Sequence, residues 1–264
     1  MSKELKVFIG VGHGGSDPGA VGYIEEADAN LVMAKACRDL LEANGVIVKM
    51  SRTKDENDPV SEEVKECNAF NPDLAVDVHN NAGGGDGFEA IYSIEGGVSK
   101  TLAKNIEAEV KKLGQNSRGL KTKKNSKGKD YFAFVRSTKC PAVIVEGVFV
   151  DNKKDVKIAD TKAEQRKFGE AYARGILKTL GVAERKSDTD DKASGKDFRV
   201  RVERSNLNIR SGAGTNYAKK GYIKPGVYTI TEVKKGKGAD NGWGKLSSGA
   251  GWISLDYATR LYNG

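Results

Sequence analysis

Between Ala183 and Asp197 the chain runs fifteen residues without one large apolar side chain. Such a stretch buries too little surface to offset the entropy of ordering it, so it is expected to be a flexible linker. That single feature divides the 264 residues into a long segment, 1–182, and a short one, 198–264, each with its own core. The charge divides at the same place. Residues 1–182 hold 28 Lys and Arg against 27 Asp and Glu, the linker 4 against 5, and residues 198–264 hold 12 against 4. The formal excess of +8 therefore resides in the C-terminal piece, which is expected to attract polyanions.

The long segment alternates two periodicities. Val7–Val11, Val46–Met50, Leu74–Val78, Phe88–Tyr92 and Ala142–Val145 are short apolar runs of the kind that form buried strands. Between them, Ala27, Leu31, Ala34, Cys37 and Leu41 recur at helical spacing and stop at Asn44-Gly45. Val98, Leu102, Ile106, Val110 and Leu113 mark another helix, closed near Gly114, and Ser61 with Glu63 and Val64 opens a short one. Phe168, Tyr172, Ile176 and Leu180 form a last helix with Gly181 as its stop. The pattern predicts an α/β domain, a mostly parallel twisted sheet with helices on both faces. From Phe198 onward, short alternating runs lie between turn signals such as Ser211–Gly214 and Lys224-Pro225-Gly226, which predicts a small all-β barrel.

No run reaches the ~18 apolar residues of a membrane span. Met1–Lys6 leads directly into the first strand-like run, which is too short and Gly-rich for a secretory h-region. Cys37, Cys67 and Cys140 are odd in number and widely spaced, so reduced structural thiols are expected. The basic run Lys121, Lys123, Lys124, Lys127 and Lys129 is expected to be a solvated loop. The sequence sets no oligomeric state.

Only two histidines are present, and each follows one of the strand-like runs: His13 after Val7–Gly12 and His79 after Leu74–Val78. The carboxyl edge of an open α/β sheet is where ligands collect. Two imidazoles at that edge call for a third ligand, and two His plus one Glu is a standard catalytic zinc set with one position open for water. Glu25 and Glu26 open the first helix. Glu26 shares a face with Asn30 and is the favoured ligand, while Glu25 is directed toward solvent. Glu146 closes the run Ala142–Val145, where a carboxylate is costly to desolvate and suits a proton acceptor. These residues alone predict a zinc hydrolase acting on a carbonyl.

Several strings carry a resemblance: Val11-Gly12-His13-Gly14-Gly15-Ser16-Asp17-Pro18-Gly19-Ala20, Glu26-Ala27-Asp28-Ala29-Asn30-Leu31, Val48-Lys49-Met50-Ser51-Arg52, Asp77-Val78-His79-Asn80-Asn81-Ala82 and Val145-Glu146-Gly147-Val148-Phe149. In order and spacing, residues 5–181 resemble the zinc-dependent N-acetylmuramoyl-L-alanine amidases of the type 3 family. The resemblance implies Zn2+ held by His13, Glu26 and His79, Glu146 as catalytic acid/base, and Asn81, with Asn80 beside it, facing substrate. It also implies the bond, the amide between the lactyl group of N-acetylmuramic acid and L-alanine in peptidoglycan. Asp77 stands where the family more often has serine, and the run Gly83-Gly84-Gly85 is longer than usual.

Residues 198–264 resemble bacterial SH3-type domains through Leu207-Asn208-Ile209-Arg210-Ser211-Gly212-Ala213-Gly214-Thr215-Asn216-Tyr217, Gly242-Trp243-Gly244-Lys245-Leu246 and Gly251-Trp252-Ile253. This implies a module that binds the cell wall and its anionic polymers, with Trp243 and Trp252 in the core or at its rim. Nucleic acid is not the expected partner, because the aromatics occupy strand-core positions and form no stacking platform. The whole is expected to be a phage endolysin, made in the host cytoplasm without a signal peptide and acting on the wall after release. The rivals are a zinc endopeptidase cutting another stem-peptide amide, a host autolysin, and a wall-binding protein without activity.

Overall fold

A computed structural model describes residues 4–184 and 197–261. The chain divides into two compact units, Met1–Glu184 and Arg185–Gly264, so the boundary falls where the sequence loses its apolar residues. Most of the expected linker, 185–196, lies outside the described residues. No helix among the described residues is long and apolar enough to cross a membrane.

In the first unit, β1 (Lys6–Val11), β2 (Ile47–Met50), β3 (Leu74–Asn81), β4 (Phe88–Tyr92), β5 (Ser117–Lys121) and β6 (Ala142–Phe149) form one sheet in the order β2-β1-β3-β6-β4-β5. The strands β2, β1, β3 and β6 are mutually parallel; β4 runs antiparallel to β6, and β5 follows β4. Four of the five pairings are parallel, as the sequence predicts, and the single antiparallel one, β4 with β6, makes the sheet mixed. Only six residues, 82–87, separate β3 from β4, too few for the crossover a parallel return demands. Two further differences concern length. β3 continues through His79 to Asn81 and β6 continues through Glu146 to Phe149, so both residues lie within strands and not beyond them. Strand β5 also takes in Lys121, the first residue of the run expected to be a loop.

Apart from the single turn α5 (Lys153–Val156) after β6, the helices cover both faces. On one face, α2 (Val60–Phe70) and the short α4 (Ala133–Ser137) enclose Phe8, Ala75, Ala142 and Ile144 together with Cys67, Phe134 and Val135. On the other lie α1 (Glu26–Ala43), α3 (Gly97–Lys111) and α6 (Lys162–Leu180), which bury Met33, Leu41, Leu102, Ile106, Phe168, Tyr172 and Ile176. Helix α6 approaches α1 so closely that a Cβ on Gly169 would lie 2.0 Å from the Met33 carbonyl oxygen. A capping box at Thr161 and Glu164 starts α6, and Gly181 ends it at φ 70°. The three cysteines are unpaired, as their spacing predicts.

From β1 the chain crosses through α1 to β2 on one side, then through α2 to β3 on the other. The carboxyl ends of β1 and β3 thus flank a topological switch point, where the diverging loops leave a crevice. Both histidines stand there.

The second unit is entirely antiparallel: β7 (Phe198–Val202), β8 (Leu207–Arg210), β9 (Lys219–Ile223), β10 (Gly226–Gly236), β11 (Ala239–Leu246), β12 (Trp252–Ser254) and β13 (Thr259–Leu261) pair in the order β13-β7-β10-β11-β12-β8-β9. Val200, Val202, Leu207, Ile223, Ile230, Leu246 and Ile253 are its core. Trp243 and Trp252 are buried, in the positions their strand pattern predicts.

Candidate metal centre

His13, Glu26 and His79 converge, with one ligand atom from each lying within 4.8 Å of the others. Glu26 is the first residue of α1 and is buried, whereas Glu25 occupies the N-cap position and is exposed, so of the two it is Glu26 that joins the cluster. Glu26 Oε1 lies 3.3 Å from His13 Nε2 and 3.1 Å from His79 Nδ1, and the Asn80 amide donates to it at 3.1 Å. Its other oxygen accepts from the Ala20 amide at 2.9 Å. Ligands about 2.1 Å from a four-coordinate zinc sit roughly 3.4 Å apart, close to the two carboxylate-to-imidazole spacings, and two His with one Glu is a donor set that suits the ion. The His13 and His79 side chains keep 27% and 22% of their surface, which leaves one side of the triangle open to a substrate.

The unengaged nitrogens are held by carboxylates. His13 Nδ1 lies 2.8 Å from Asp17 Oδ2, and His79 Nε2 lies 3.4 Å from Asp77 Oδ2. Each imidazole is thereby directed to present its other nitrogen to the centre. Asp17 and Asp77 were not singled out for this role in the sequence. The signal was Asp17 four residues after His13 and Asp77 on the same strand face as His79. Backbone approach completes the cradle: a Cβ on Gly12 would meet His79 Cε1 at 2.1 Å. His13 itself adopts φ 63°, in the left-handed region that non-glycine residues rarely occupy.

Charge is concentrated here. Burial pulls the Glu26 carboxyl up, but hydrogen bonds with both histidines outweigh it and hold it well below the usual carboxylate range. Burial pulls His79 down, yet Asp77 and Glu26 lift it well above its ordinary value; the bond to Glu26 likewise raises His13. Without a metal, the cluster would be neutralised by protons. Glu146 stands beside His79 across the β3–β6 pairing, partly buried. Burial lifts its carboxyl to about 7, opposed by His79 and reinforced by the charges of Glu26, Asp77 and Glu89. A carboxyl poised near neutrality fits proton transfer.

The two asparagines separate. Asn81 is partly exposed, and its side chain donates to Glu89 Oε2 at 3.3 Å. Asn80, expected to face substrate, is turned into the core. Its Nδ2 donates to Asn30 Oδ1 at 2.8 Å and its Oδ1 accepts from the Val148 amide at 3.1 Å. Alternation along β3 puts successive side chains on opposite faces, so only one of the pair can share the His79 side. Asn30 in turn donates to the Gly12 carbonyl at 3.0 Å, so this chain of amides supports the loop bearing His13.

Beneath His79 lies a buried acid, Glu63, whose Oε1 accepts from the Val11 amide and the Ser51 hydroxyl, each at 3.2 Å. Burial, with Asp77 and Asp58 adding repulsion, raises its carboxyl to about 9. The unfolded chain releases this proton near the ordinary value, so the folded state loses stability as pH rises from about 4.5 to about 9. Glu63→Gln keeps the acceptor and needs no proton. Its melting temperature is expected to gain on the parent progressively between pH 5 and pH 9; a gain independent of pH would contradict this.

Known proteins align with much of this chain. The chain is 30% identical over 208 residues to the sporulation-specific N-acetylmuramoyl-L-alanine amidase of Bacillus subtilis, covering 77% of this chain and 79% of that protein. It is 31% identical over 212 residues to the endolysin of Bacillus phage SPP1, covering 75% and 76%. Among solved structures, the catalytic domain of CwlV, an N-acetylmuramoyl-L-alanine amidase from Bacillus (Paenibacillus) polymyxa var. colistinus, superposes with a TM-score of 0.61 at 27% identity, covering 68% of this chain and 99% of that domain. Residues 7–178 match the family profile described as N-acetylmuramoyl-L-alanine amidase, and the chain belongs to that family.

Proposed function

We propose that the protein is a zinc-dependent peptidoglycan amidase that cleaves the bond between N-acetylmuramic acid and L-alanine. The observation that carries this is the convergence of His13, Glu26 and His79 at the switch point with Glu146 on the neighbouring strand. These three side chains would hold zinc, which when bound supplies Lewis acidity toward the scissile carbonyl and acidifies a water. Glu146 takes a proton from the attacking water and returns it to the leaving nitrogen of L-alanine. With both histidines committed to the metal, no imidazole is left to share that work. In this reading Asn81, on the His79 face of its strand, is the asparagine that meets substrate.

The second unit supports a wall-binding role of the SH3 type. Its motif Leu207–Tyr217 covers β8 and the turn that follows, the fold is all-β, and the segment carries the excess positive charge. Tethering to an insoluble wall raises the effective substrate concentration without adding a catalytic contact. The alignment with a phage endolysin supports an endolysin role, with synthesis in the host cytoplasm and action on the wall after release. Mass spectrometry of digested peptidoglycan tests the bond. Intact stem peptides with free L-alanine amino termini are expected, and scission between later stem residues would favour the endopeptidase instead.

A further inference from the structure

Glu89 faces Glu146 across the β4–β6 pairing and is 7% exposed. A carboxylate so buried needs cationic or hydrogen-bonding partners. It has two cations on one oxygen: Arg118 Nε and Lys121 Nζ each lie 2.5 Å from Oε1. Two cations against one anion leave the Glu89–Arg118–Lys121 cluster itself with a formal excess of one positive charge. Both cations come from β5, the edge strand, and each side chain keeps 43% of its surface.

Arg118 has a second contact besides Glu89. Its guanidinium carbon sits 5.2 Å from the centre of the Phe149 ring, within cation–π range, while Glu89 fixes the Nε end. Its Nη atoms donate to no group among the described residues. A guanidinium anchored at Nε with an unengaged Nη edge is a preorganised fork for a carboxylate, which a lysine cannot reproduce.

We infer that Arg118, anchored by Glu89 and Phe149 and assisted by Lys121, is a specificity subsite for a free carboxylate on the stem peptide, next to the scissile amide. This rests on the amidase reading above. Stem peptides carry acidic residues that some walls present as carboxamides, and this subsite distinguishes the two forms. A carboxamide offers one acceptor and no charge, so the fork would lose its ionic partner.

The test uses the full-length, zinc-loaded protein and two soluble muramoyl-peptides that differ only in a free carboxylate or a carboxamide on the acidic stem residue. The parent is expected to favour the free carboxylate about tenfold in kcat/KM, mainly through KM. Arg118→Ala brings the ratio between the substrates close to one. Arg118→Lys, which keeps the charge without the fork, leaves an intermediate ratio. A parent that cuts both equally, or an Arg118→Ala variant that keeps the parent's ratio, overturns the subsite and leaves the amidase reading standing. Cleavage of neither substrate overturns that reading and the subsite with it.

Discussion

Glu146→Gln is expected to lower kcat/KM by about three orders of magnitude, within the span that general acid–base groups contribute. Zinc affinity should be retained, because Glu146 is not one of the three converging ligands. The glutamine keeps the shape of the partly buried site and cannot accept the proton. The pH profile adds a second observable. Burial places the Glu146 carboxyl near 7 in the metal-free protein, opposed by the positive charge of His79. A bound cation opposes it further, so in the loaded protein the activity of the parent should rise through a midpoint below 7. In the variant that limb should be absent. A variant that retains the parent's activity and acid limb would remove Glu146 from the mechanism.

Arg52 carries the second large effect, on folding and metal affinity together. It is 2% exposed and donates to backbone carbonyls throughout: Nε to Val11 at 3.0 Å, Nη1 to Lys54 at 3.2 Å, and Nη2 to Gly12 at 3.2 Å and Ala27 at 2.8 Å. One guanidinium thus ties the end of β1 and the residue before His13 to the first turn of α1, which bears Glu26. Arg52→Ala removes all four bonds, leaving the Gly12 carbonyl with Asn30 as its remaining side-chain donor, and opens a cavity. It is expected to cost roughly 3–5 kcal/mol. For a unit of this size that is about 10 °C in melting temperature. Arg52→Lys recovers only part, since an ammonium cannot span carbonyls from three segments. Thermal melting and zinc competition with a chelator should both shift; a loss of stability with zinc affinity unchanged would show that the clamp does not set the ligands.

The sequence made some of this visible and left the rest obscure for physical reasons. The buried strands and the long helices announce themselves because their periodicity is imposed by the core. His13 and His79 are conspicuous because imidazoles are so scarce in this chain. Glu26 was separable from Glu25 because helical geometry puts only one of two neighbours on the inner face. Strand β5 was missed, since Ser117–Lys121 has Leu120 as its sole large apolar residue and its pairing is an edge pairing. The reversal of β4 was available from the short 82–87 connection. Asn80 misled because adjacency in a strand means opposite faces. Arg52, Asp17, Asp77 and Glu89 act through partners distant in sequence or through polar contacts, and apolar periodicity carries no trace of such contacts.

The most direct test of the account is zinc content measured alongside wall cleavage, before and after chelation and on stepwise return of the metal. The expected result is one bound zinc per chain. Release of stem peptides with free L-alanine termini should disappear on stripping and return in proportion to zinc restored to the His13, Glu26 and His79 centre. Cleavage that persists in the fully stripped protein, or zinc bound with full occupancy after His79→Ala, would contradict it.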